Sequence, residues 1–316
     1  MCGGLTGSAQ SVPEPVADGG IYIFLDELAA DGLIDLNRAV KPYSRSMIAA
    51  ALEKAELQQE QLTGRQRREL EFWLEAYAMT TPQGKLKLVY NPATAQYRDS
   101  LFSVTFSPIL GITAGLTPDA SVDWLTGVAN TRPYNWKNGA KVYGNYKNWG
   151  FFAALQDNHQ DPLLGSAQYL TRERGGHIKL GTDFSEMTGG ISYSWEWGDI
   201  AFLKDAPVWG SGYAGTNILS GRAPSFMHIR LHLQPVHWAE MTWIHGWLTS
   251  MVIDSTRSFW VTNAYGTDYR ELYRRQYIAA NLFTVTPVPR LKVSLGNSVI
   301  WSDPRLSPYY LMPVFF

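Results

Sequence analysis

Apolar and polar residues alternate along several stretches in the second half of the chain. From Met187 to Trp197 most odd-numbered residues are apolar, and most of the residues between them are serine, threonine or glutamate. The same alternation recurs over 177–184 and 290–301. Successive side chains of a strand point to opposite faces, so each stretch predicts a strand with one apolar wall and one polar wall. Alternating segments of about ten residues, separated by turns, are typical of membrane-spanning β-barrels.

From Leu86 onward the pattern predicts strands and turns almost throughout. Short turns, such as Lys147-Asn148, alternate with long connections at 204–225 and 254–268, an asymmetry that outer-membrane barrels share. We therefore expect a mostly β fold, an antiparallel transmembrane β-barrel over residues 85–316. A soluble β-sandwich or jelly roll, whose strands also alternate, is the alternative. The predicted strands are Leu101–Phe106, Leu110–Leu116, Ala120–Ala129, Ala140–Lys147, Trp149–Gln156, Gly176–Phe184, Met187–Gly198, Met227–Pro235, Trp238–Leu248, Arg274–Thr286 and Arg290–Trp301, with a further one beginning over Tyr310–Phe315.

Three short amphipathic helices are predicted ahead of these strands. The first ends at Gly32, the second follows Ser44, and the third opens with Thr63 and Gln66, spaced as in a capping box. Three short helices bury little surface by themselves, so we expect them to dock on something larger. We assign residues 17–84 to a small helical region.

The first residues are small and weakly polar. The run M-C-G-G-L-T-G-S-A-Q-S resembles the end of a secretory signal peptide, with a cleavage point near Ala9 to Ser11. Residues 1–16 are therefore interpreted as a signal-peptide remnant or a disordered leader. Lipidation of Cys2 is one competing interpretation, and an untargeted soluble protein with a glycine-rich leader is another. Cys2 is the only cysteine, so the chain forms no internal disulfide.

Composition and motifs narrow the functional classes. The net charge of −1 gives no reason to expect a nucleic-acid partner. No run approaches the ~18 apolar residues of a helical membrane span. The sequence contains no H-E-x-x-H, G-x-S-x-G or P-loop motif. His228 and His232 share a strand face but lie about 13 Å apart, too far to share a metal. We expect no enzyme activity, no catalytic residue, no cofactor and no metal site.

The most distinctive polar segment runs from Gly198 to Ser225. It mixes Trp209, Tyr213, Asn217 and Arg222 with several glycines. An aromatic ring beside hydrogen-bonding groups suits a sugar, whose ring has an apolar face and a rim of hydroxyls. A long external loop folded back on itself explains the segment equally well. With Arg230 on the following strand, the candidate polysaccharide-binding residues are Trp209, Tyr213, Asn217, Arg222 and Arg230.

The segment W-G-S-G-Y-A-G-T-N-I-L-S-G-R-A-P-S-F-M-H-I-R-L (209–231) resembles the capsule-assembly Wzi family of outer-membrane proteins. The stretch F-L-D-E-L-A-A-D-G-L-I-D followed by K-P-Y-S-R (24–45) is similar to the family's helical region. N-S-V-I-W-S-D-P-R and Y-L-M-P-V-F-F match a later strand and loop. The resemblance implies an outer-membrane barrel that binds or anchors capsular polysaccharide, with the helical region 17–84 at its periplasmic end. It also implies membrane lipids and other envelope assembly proteins as partners. A structural role in a gliding-motility or secretion apparatus is the alternative.

The length and the end of the chain suggest a truncated member of that family. The chain carries fewer candidate strands than the family's barrel and lacks its C-terminal part, which the family is thought to use in polysaccharide attachment. A closed barrel has no strand edges, because its last strand pairs with its first. The chain ends in the apolar run Y-Y-L-M-P-V-F-F, with no final turn or polar tail. We therefore expect a fragment whose strands form an open, curved sheet with two edges that do not meet.

Overall fold

The computed structural model describes residues 12–16, 19–77, 83–90, 93–115, 122–123, 128–129, 134–161, 178–179, 183–212, 215–221, 223–263, 266–288, 291–302 and 308–313. The chain divides into two compact units, Met1–Ser225 and Phe226–Phe316. The first unit contains the helices and a large antiparallel sheet, and the second contains a smaller antiparallel sheet. The mostly β fold with a small helical region is confirmed.

The three predicted helices are present and share a core of their own. They are α1 (Gly20–Ala30), α2 (Arg45–Glu56) and α3 (Gly64–Tyr77). Ser44 caps α2 by accepting a hydrogen bond from the backbone N–H of Met47 at 3.2 Å. The buried apolar residues of this core are Ile21, Tyr22, Phe24, Leu25, Leu28, Leu33, Ile34, Leu36, Tyr43, Ile48, Ala51, Leu52, Ala55, Leu62, Leu70 and Tyr77.

The predicted leader is partly packed. Residues 1–11 lie outside the described residues, but 12–16 are placed against the helices and the sheet. Pro13 forms a β-bridge with Ser44, and Val12 is completely buried. An apolar side chain in this position contributes to the core, so the packed chain includes residues that we had assigned to the leader.

The first unit contains one large sheet and two small ones. The order of the large sheet is β2-β3-β4-β7-β8-β10-β11, and β9 also pairs with β10. β1, β12 and β13 form a three-stranded sheet, and β5 and β6 form a hairpin pair. In chain order the strands are β1 (Val40–Lys41), β2 (Lys85–Val89), β3 (Thr94–Arg98), β4 (Phe102–Ala114), β5 (Val122–Asp123), β6 (Val128–Ala129), β7 (Tyr134–Tyr146), β8 (Trp149–Asp161), β9 (Ile178–Lys179), β10 (Asp183–Trp195), β11 (Gly198–Asp205), β12 (Val208–Trp209) and β13 (Leu219–Ser220).

Several strand predictions were wrong. The two strands predicted on either side of Pro108 form the single strand β4. β3 pairs with β4 only as far as Phe106, so Pro108 lies where β4 has an edge, the position in which a sheet tolerates proline. β11 lies in the polar segment from Gly198 and was not predicted, because one of its faces mixes Asp199 with Leu203, which weakens the alternation.

Two of the predicted strands each contain two strands that pair with each other. Gly176–Phe184 covers β9 and the first residues of β10, and Ala120–Ala129 covers β5 and β6. Four strands at 85–89, 94–98, 259–263 and 266–270 were not predicted.

The large sheet has reversed polarity. On β4 the side chains that face the helices are polar and buried: Ser103 and Thr105 are 6% and 3% exposed. The side chains that point away are apolar and exposed: Leu110 and Ile112 are 79% and 78% exposed. We call the two faces the helix-facing side and the outward side. Further exposed apolar residues of the outward side are Leu86, Leu88, Phe106, Phe151, Leu155, Met187, Ile191, Tyr193, Ile200 and Phe202.

The hairpin of β7 and β8 carries a close cross-strand contact on the outward side. Gly144 pairs directly with Phe151, and a Cβ at Gly144 would lie only 1.9 Å from the phenyl ring. The ring therefore occupies the space that any other side chain at residue 144 would need. The predicted turn at Lys147-Asn148 closes this hairpin, with Lys147 at a φ of 52°.

The second unit is built around the sheet β14-β15-β18-β19, and β16 pairs with β17 in a separate hairpin. The apolar side of β19 is exposed, as on the outward side of the first sheet: Leu291, Val293 and Leu295 are all at least half exposed. The strands are β14 (Phe226–Val236), β15 (Ala239–Ile253), β16 (Phe259–Asn263), β17 (Gly266–Arg270), β18 (Tyr273–Val288) and β19 (Leu291–Trp301).

A 3₁₀ turn, Pro308–Leu311, lies where a strand was predicted to begin at Tyr310. It packs on the apolar side of the second sheet. The rings of Trp301 and Tyr310 lie 4.3 Å apart, and Asn281 donates a hydrogen bond to the carbonyl of Pro313 at 3.2 Å. The rest of that predicted strand, 314–315, lies outside the described residues.

Neither main sheet closes on itself. The path of the first sheet ends at β2 and β11, and that of the second at β14 and β19, without a pairing that would complete a ring within either unit among the described strands. The expectation of an open strand path therefore holds within each unit. Over the same parts of the chain, no helix has both the length and the apolar character needed to cross a membrane.

The capping box of α3 generates a stability prediction. Gln66 accepts hydrogen bonds from the backbone N–H and the hydroxyl of Thr63, and its amide donates to Glu27 and Asp31, each at 2.8 Å. Gln66→Glu would replace this donor with a carboxylate facing two others. We expect a loss of about 1–3 kcal/mol, because two buried hydrogen bonds become repulsive contacts. Hydrogen exchange of the peptide covering α3 measures the loss.

Gln61→Glu is the control for this experiment, since Gln61 is exposed in the turn before α3. It makes the same chemical change without the two facing carboxylates, and exchange of α3 should stay as in the wild type. Equal protection of α3 in the two variants would contradict the role assigned to Gln66.

Candidate functional site

A buried ion pair joins the N-terminal segment, helix α2 and the large sheet. Arg45 Nη1 lies 2.6 Å from Glu14 Oε2, and both side chains are almost fully buried. The other carboxylate oxygen of Glu14 accepts a hydrogen bond from the hydroxyl of Tyr143, on β7, at 2.9 Å. The Arg45 guanidinium lies 4.2 Å from the centre of the Tyr143 ring and 4.4 Å from that of Tyr77, on α3. This cluster connects four parts of the chain: the N-terminal segment, α2, α3 and β7.

Two ionisation states in the cluster are fixed by its surroundings. Burial by itself lowers the pKa of Arg45, but the Glu14 carboxylate and the hydroxyls of Tyr77 and Tyr143 outweigh it, so the pKa lies above its ordinary value. Burial, followed by the negative charge of Glu14, raises the pKa of Tyr22 well above its ordinary value. The Tyr22 hydroxyl therefore stays protonated and donates to the backbone carbonyl of Glu14.

The C-terminal end of α3 is satisfied by side chains from its surroundings. The last carbonyl groups of a helix have no partner within it. Arg45 donates to the carbonyl of Ala76 at 3.0 Å, and Gln96, on β3, donates to that of Glu75 at 3.2 Å. The Glu75 carboxylate pairs with Lys87, on β2, at 2.5 Å. These contacts hold α3 against the helix-facing side of the sheet.

An open cleft of about 380 Å³ lies between α3 and this side of the sheet. Its lining combines aromatic rings, hydroxyls, an amide and charged groups. Among the lining residues, Arg45, Lys137 and Lys141 are cationic and Glu14 is anionic, which gives a net charge of +2 (three minus one). The lining residues are Glu14, Arg45, Phe72, Trp73, Ala76, Tyr77, Ala93, Thr94, Ser107, Pro108, Ile109, Leu110, Lys137, Lys141, Tyr143 and Gln156.

Two polar groups of the cleft are set up to meet a ligand. Thr94 is 8% exposed, and its hydroxyl has no hydrogen-bond partner among the described residues. Lys137 lies across Gly111 of the neighbouring strand, where a Cβ would come within 2.8 Å of Lys137 Cε. The missing side chain at residue 111 therefore makes room for the stem of Lys137. The cleft can offer a cation and a hydroxyl beside the half-buried rings of Phe72 and Trp73.

None of the predicted sugar-binding residues that the structure describes, Trp209, Asn217 and Arg230, lines this cleft. Trp209 is 4% exposed and pairs in the small sheet with Val40 and Leu219, so its ring presents no open face. Asn217 is exposed in the connection that follows. Tyr213 and Arg222 lie outside the described residues. The segment folds back on itself through β12 and β13, as the loop interpretation expected.

Arg230, the fifth candidate, belongs to the second unit. It is buried on the polar side of β14, opposite Ile244. His228 lies on the same side and bonds the carbonyl of Phe226 through Nδ1 at 3.1 Å. Within the described parts of the chain, no three His, Cys, Asp or Glu side chains are grouped so that they could hold a metal ion.

Comparisons with protein-family models, with curated proteins and with solved structures find no match for this chain.

The cleft was not predicted from the sequence because its parts are scattered along the chain. Phe72 and Trp73 are part of the apolar stripe of a helix, and Lys137 precedes the strand that had been predicted from Ala140. One signal was available: Lys137 and Lys141 have the four-residue spacing that places both on one face of a strand. This spacing points to a strand face only if β7 is known to start at Tyr134, ahead of Lys137.

The ion pair generates the second prediction. Arg45→Met leaves the Glu14 carboxylate buried without its cation, and we expect a loss of about 3–5 kcal/mol in the stability of the helical region. Adding Glu14→Gln to this variant removes the stranded charge and should recover part of the loss. Hydrogen exchange of the peptides covering α1 to α3 gives both values.

Arg65→Met is the matched control, because Arg65 is half exposed and pairs with Glu27 and Glu69 at the surface. Exposed pairs contribute about 0–1 kcal/mol, so this variant should stay close to the wild type. If Arg65→Met costs as much as Arg45→Met, the buried pair has no special role.

Proposed function

We propose that this chain forms part of an outer-membrane β-protein that binds or anchors surface polysaccharide. The observation that carries the proposal is the reversed polarity of the large sheet, which buries Ser103 and Thr105 and exposes Leu110 and Ile112. Water-soluble proteins rarely expose contiguous apolar surface beyond a few hundred Å². Lipid on the outward side would remove this apolar surface from water, and the polar side would face the interior.

Aromatic residues on the outward side support the membrane part of the proposal. Near the turn end of β7 and β8, Trp149 contacts Tyr193 and Trp195 contacts Trp197, with ring centres 5.0 and 5.4 Å apart. Near the other end, Trp136 lies 5.6 Å from the ring of His159. The two belts are separated by about ten residues of strand, roughly 33 Å, or about 25 Å at the usual strand tilt. A barrel's apolar band has this height.

Exposure of this face also argues against the sandwich alternative. A β-sandwich covers the apolar side of each sheet with the other sheet. Trp197 is half exposed, and the outward apolar residues of β4 and β8 remain open to solvent in the first unit. In the membrane interpretation lipid covers these residues, whereas the sandwich interpretation leaves them uncovered.

The polysaccharide part of the proposal rests on the cleft. Its aromatic rings, amide, hydroxyls and cations are the groups with which proteins bind sugars. The resemblance of 209–231 to the Wzi family comes from the sequence alone, and the comparisons with known proteins add no support to it. The cleft supports the same function from different residues.

A capsule-retention assay tests the function. Deletion of the gene should move surface polysaccharide from the cells to the medium without changing the total amount, and expression of the full-length chain should reverse this. Cell-associated polysaccharide that is unchanged by the deletion would contradict the proposal. A simultaneous loss of surface motility or secretion would then favour the structural role in such an apparatus.

The membrane assignment has its own test. Leu155 lies on the outward side at the middle of β8 and does not line the cleft. Leu155→Arg would place a charge in hydrocarbon, and we expect a loss of about 2–4 kcal/mol in the free energy of unfolding from lipid vesicles. Urea titration of the vesicle-bound protein, followed by tryptophan fluorescence, measures it.

Leu57→Arg is the control, because Leu57 is also exposed but follows helix α2. It should change stability by less than about 0.5 kcal/mol. Equal effects of the two arginines would count against lipid contact at Leu155.

A further inference from the structure

We propose that the cleft between α3 and the large sheet binds a carboxylated sugar unit, with Lys137 as the residue that recognises the acidic group. The inference rests on the proposed function, which it deepens by naming the class of glycan and the place where it binds. Neither the sequence analysis nor the comparisons assign a ligand to this cleft.

The charge of the cleft selects an anion. The Glu14 carboxylate lies 2.6 Å from Arg45 and accepts a further hydrogen bond from Tyr143, so its charge is compensated within the cluster. Lys137 then carries a further positive charge in the lining. Among the described residues Lys137 has no ion-pair partner. A carboxylate is a suitable one, since charge-assisted hydrogen bonds are the stronger kind.

The position of Lys137 is built into the sheet. Its side chain lies over Gly111, where any larger residue would meet its stem. An ammonium group at the end of a free stem samples many positions, whereas a stem held against the sheet loses less conformational entropy on binding. Gly111 thus helps to hold the cation in the cleft.

The remaining lining groups favour a sugar over a simple inorganic anion. Phe72 and Trp73 are half buried on α3, with ring centres 4.8 Å apart, and both line the cleft that Lys137 also lines. Thr94 adds a buried hydroxyl that lacks a partner among the described residues. A saccharide ring offers an apolar face to the aromatic rings and hydroxyls to Thr94. An inorganic anion uses neither feature.

Paired ligands test the inference on the full-length chain in detergent. Oligosaccharides of glucuronate, galacturonate and sialate are compared with their methyl esters, which keep the sugar but remove the charge. We expect the wild type to bind at least one acid about tenfold more tightly than its ester, with affinity that falls as salt is added. Calorimetric titration gives the affinities.

Variants assign the effect to the cleft. Lys137→Gln should remove the preference for the acid, while Lys137→Arg, which keeps the charge, should retain most of it. Lys54→Gln, at an exposed position near the end of α2, removes a lysine outside the cleft and should bind as the wild type does. Hydrogen exchange of β7 in each variant checks that the strand is intact.

Several outcomes would overturn the inference. These are equal binding of acids and esters, no binding of either, or an unchanged preference in Lys137→Gln. In those cases the proposed function would still stand if deletion of the gene releases surface polysaccharide from the cells in the capsule-retention assay. If the deletion also leaves polysaccharide on the cells, the function itself fails.

Discussion

A sheet that exposes its apolar side must find polar partners for the side it buries. In the first unit the ion pair of Glu14 and Arg45 does this at the centre of the contact with the helices. Tyr143 brings the sheet to the carboxylate, and Arg45 also closes the end of α3 through the carbonyl of Ala76. The helical core, the packed N-terminal segment and the cleft all adjoin this pair, so their positions depend on one buried charge cluster.

The cleft owes its chemistry to the same arrangement. Glu14 pairs with Arg45, and Lys137, which has no ion-pair partner among the described residues, adds a positive charge to the cleft. Because Gln96 and Lys87 hold the end of α3 at Glu75, the rings of Phe72 and Trp73 stay opposite the strands that carry Lys137 and Thr94. Burial of polar groups thus serves two ends: it attaches the helices, and it leaves a polar space beside them.

Predictions from the sequence were correct where a local rule, such as residue spacing or backbone preference, determines the structure. The three helices, the capping box of Thr63 and Gln66, and the turn at Lys147 follow from spacing and backbone preference alone. Strand boundaries were less predictable, since Pro108 breaks a local pattern that the free edge of β4 allows. The cleft could not be predicted, because it depends on which side of β7 meets α3. Trp209 looked like a sugar platform in sequence, but strand pairing with Val40 buries it.

The contact of Phe151 with Gly144 has a consequence for how the β7–β8 hairpin assembles. The phenyl ring fits only opposite a residue that has no side chain, and the neighbours of Gly144 are Tyr143 and Asn145, which point to the other side of the sheet. A shift of one residue would put the ring among polar groups and turn Tyr143 away from Glu14. The pairing of Gly144 with Phe151 therefore specifies the register of the hairpin. A hairpin that forms in the wrong register has no space for the phenyl ring and lacks the hydrogen bond from Tyr143 that attaches the helices.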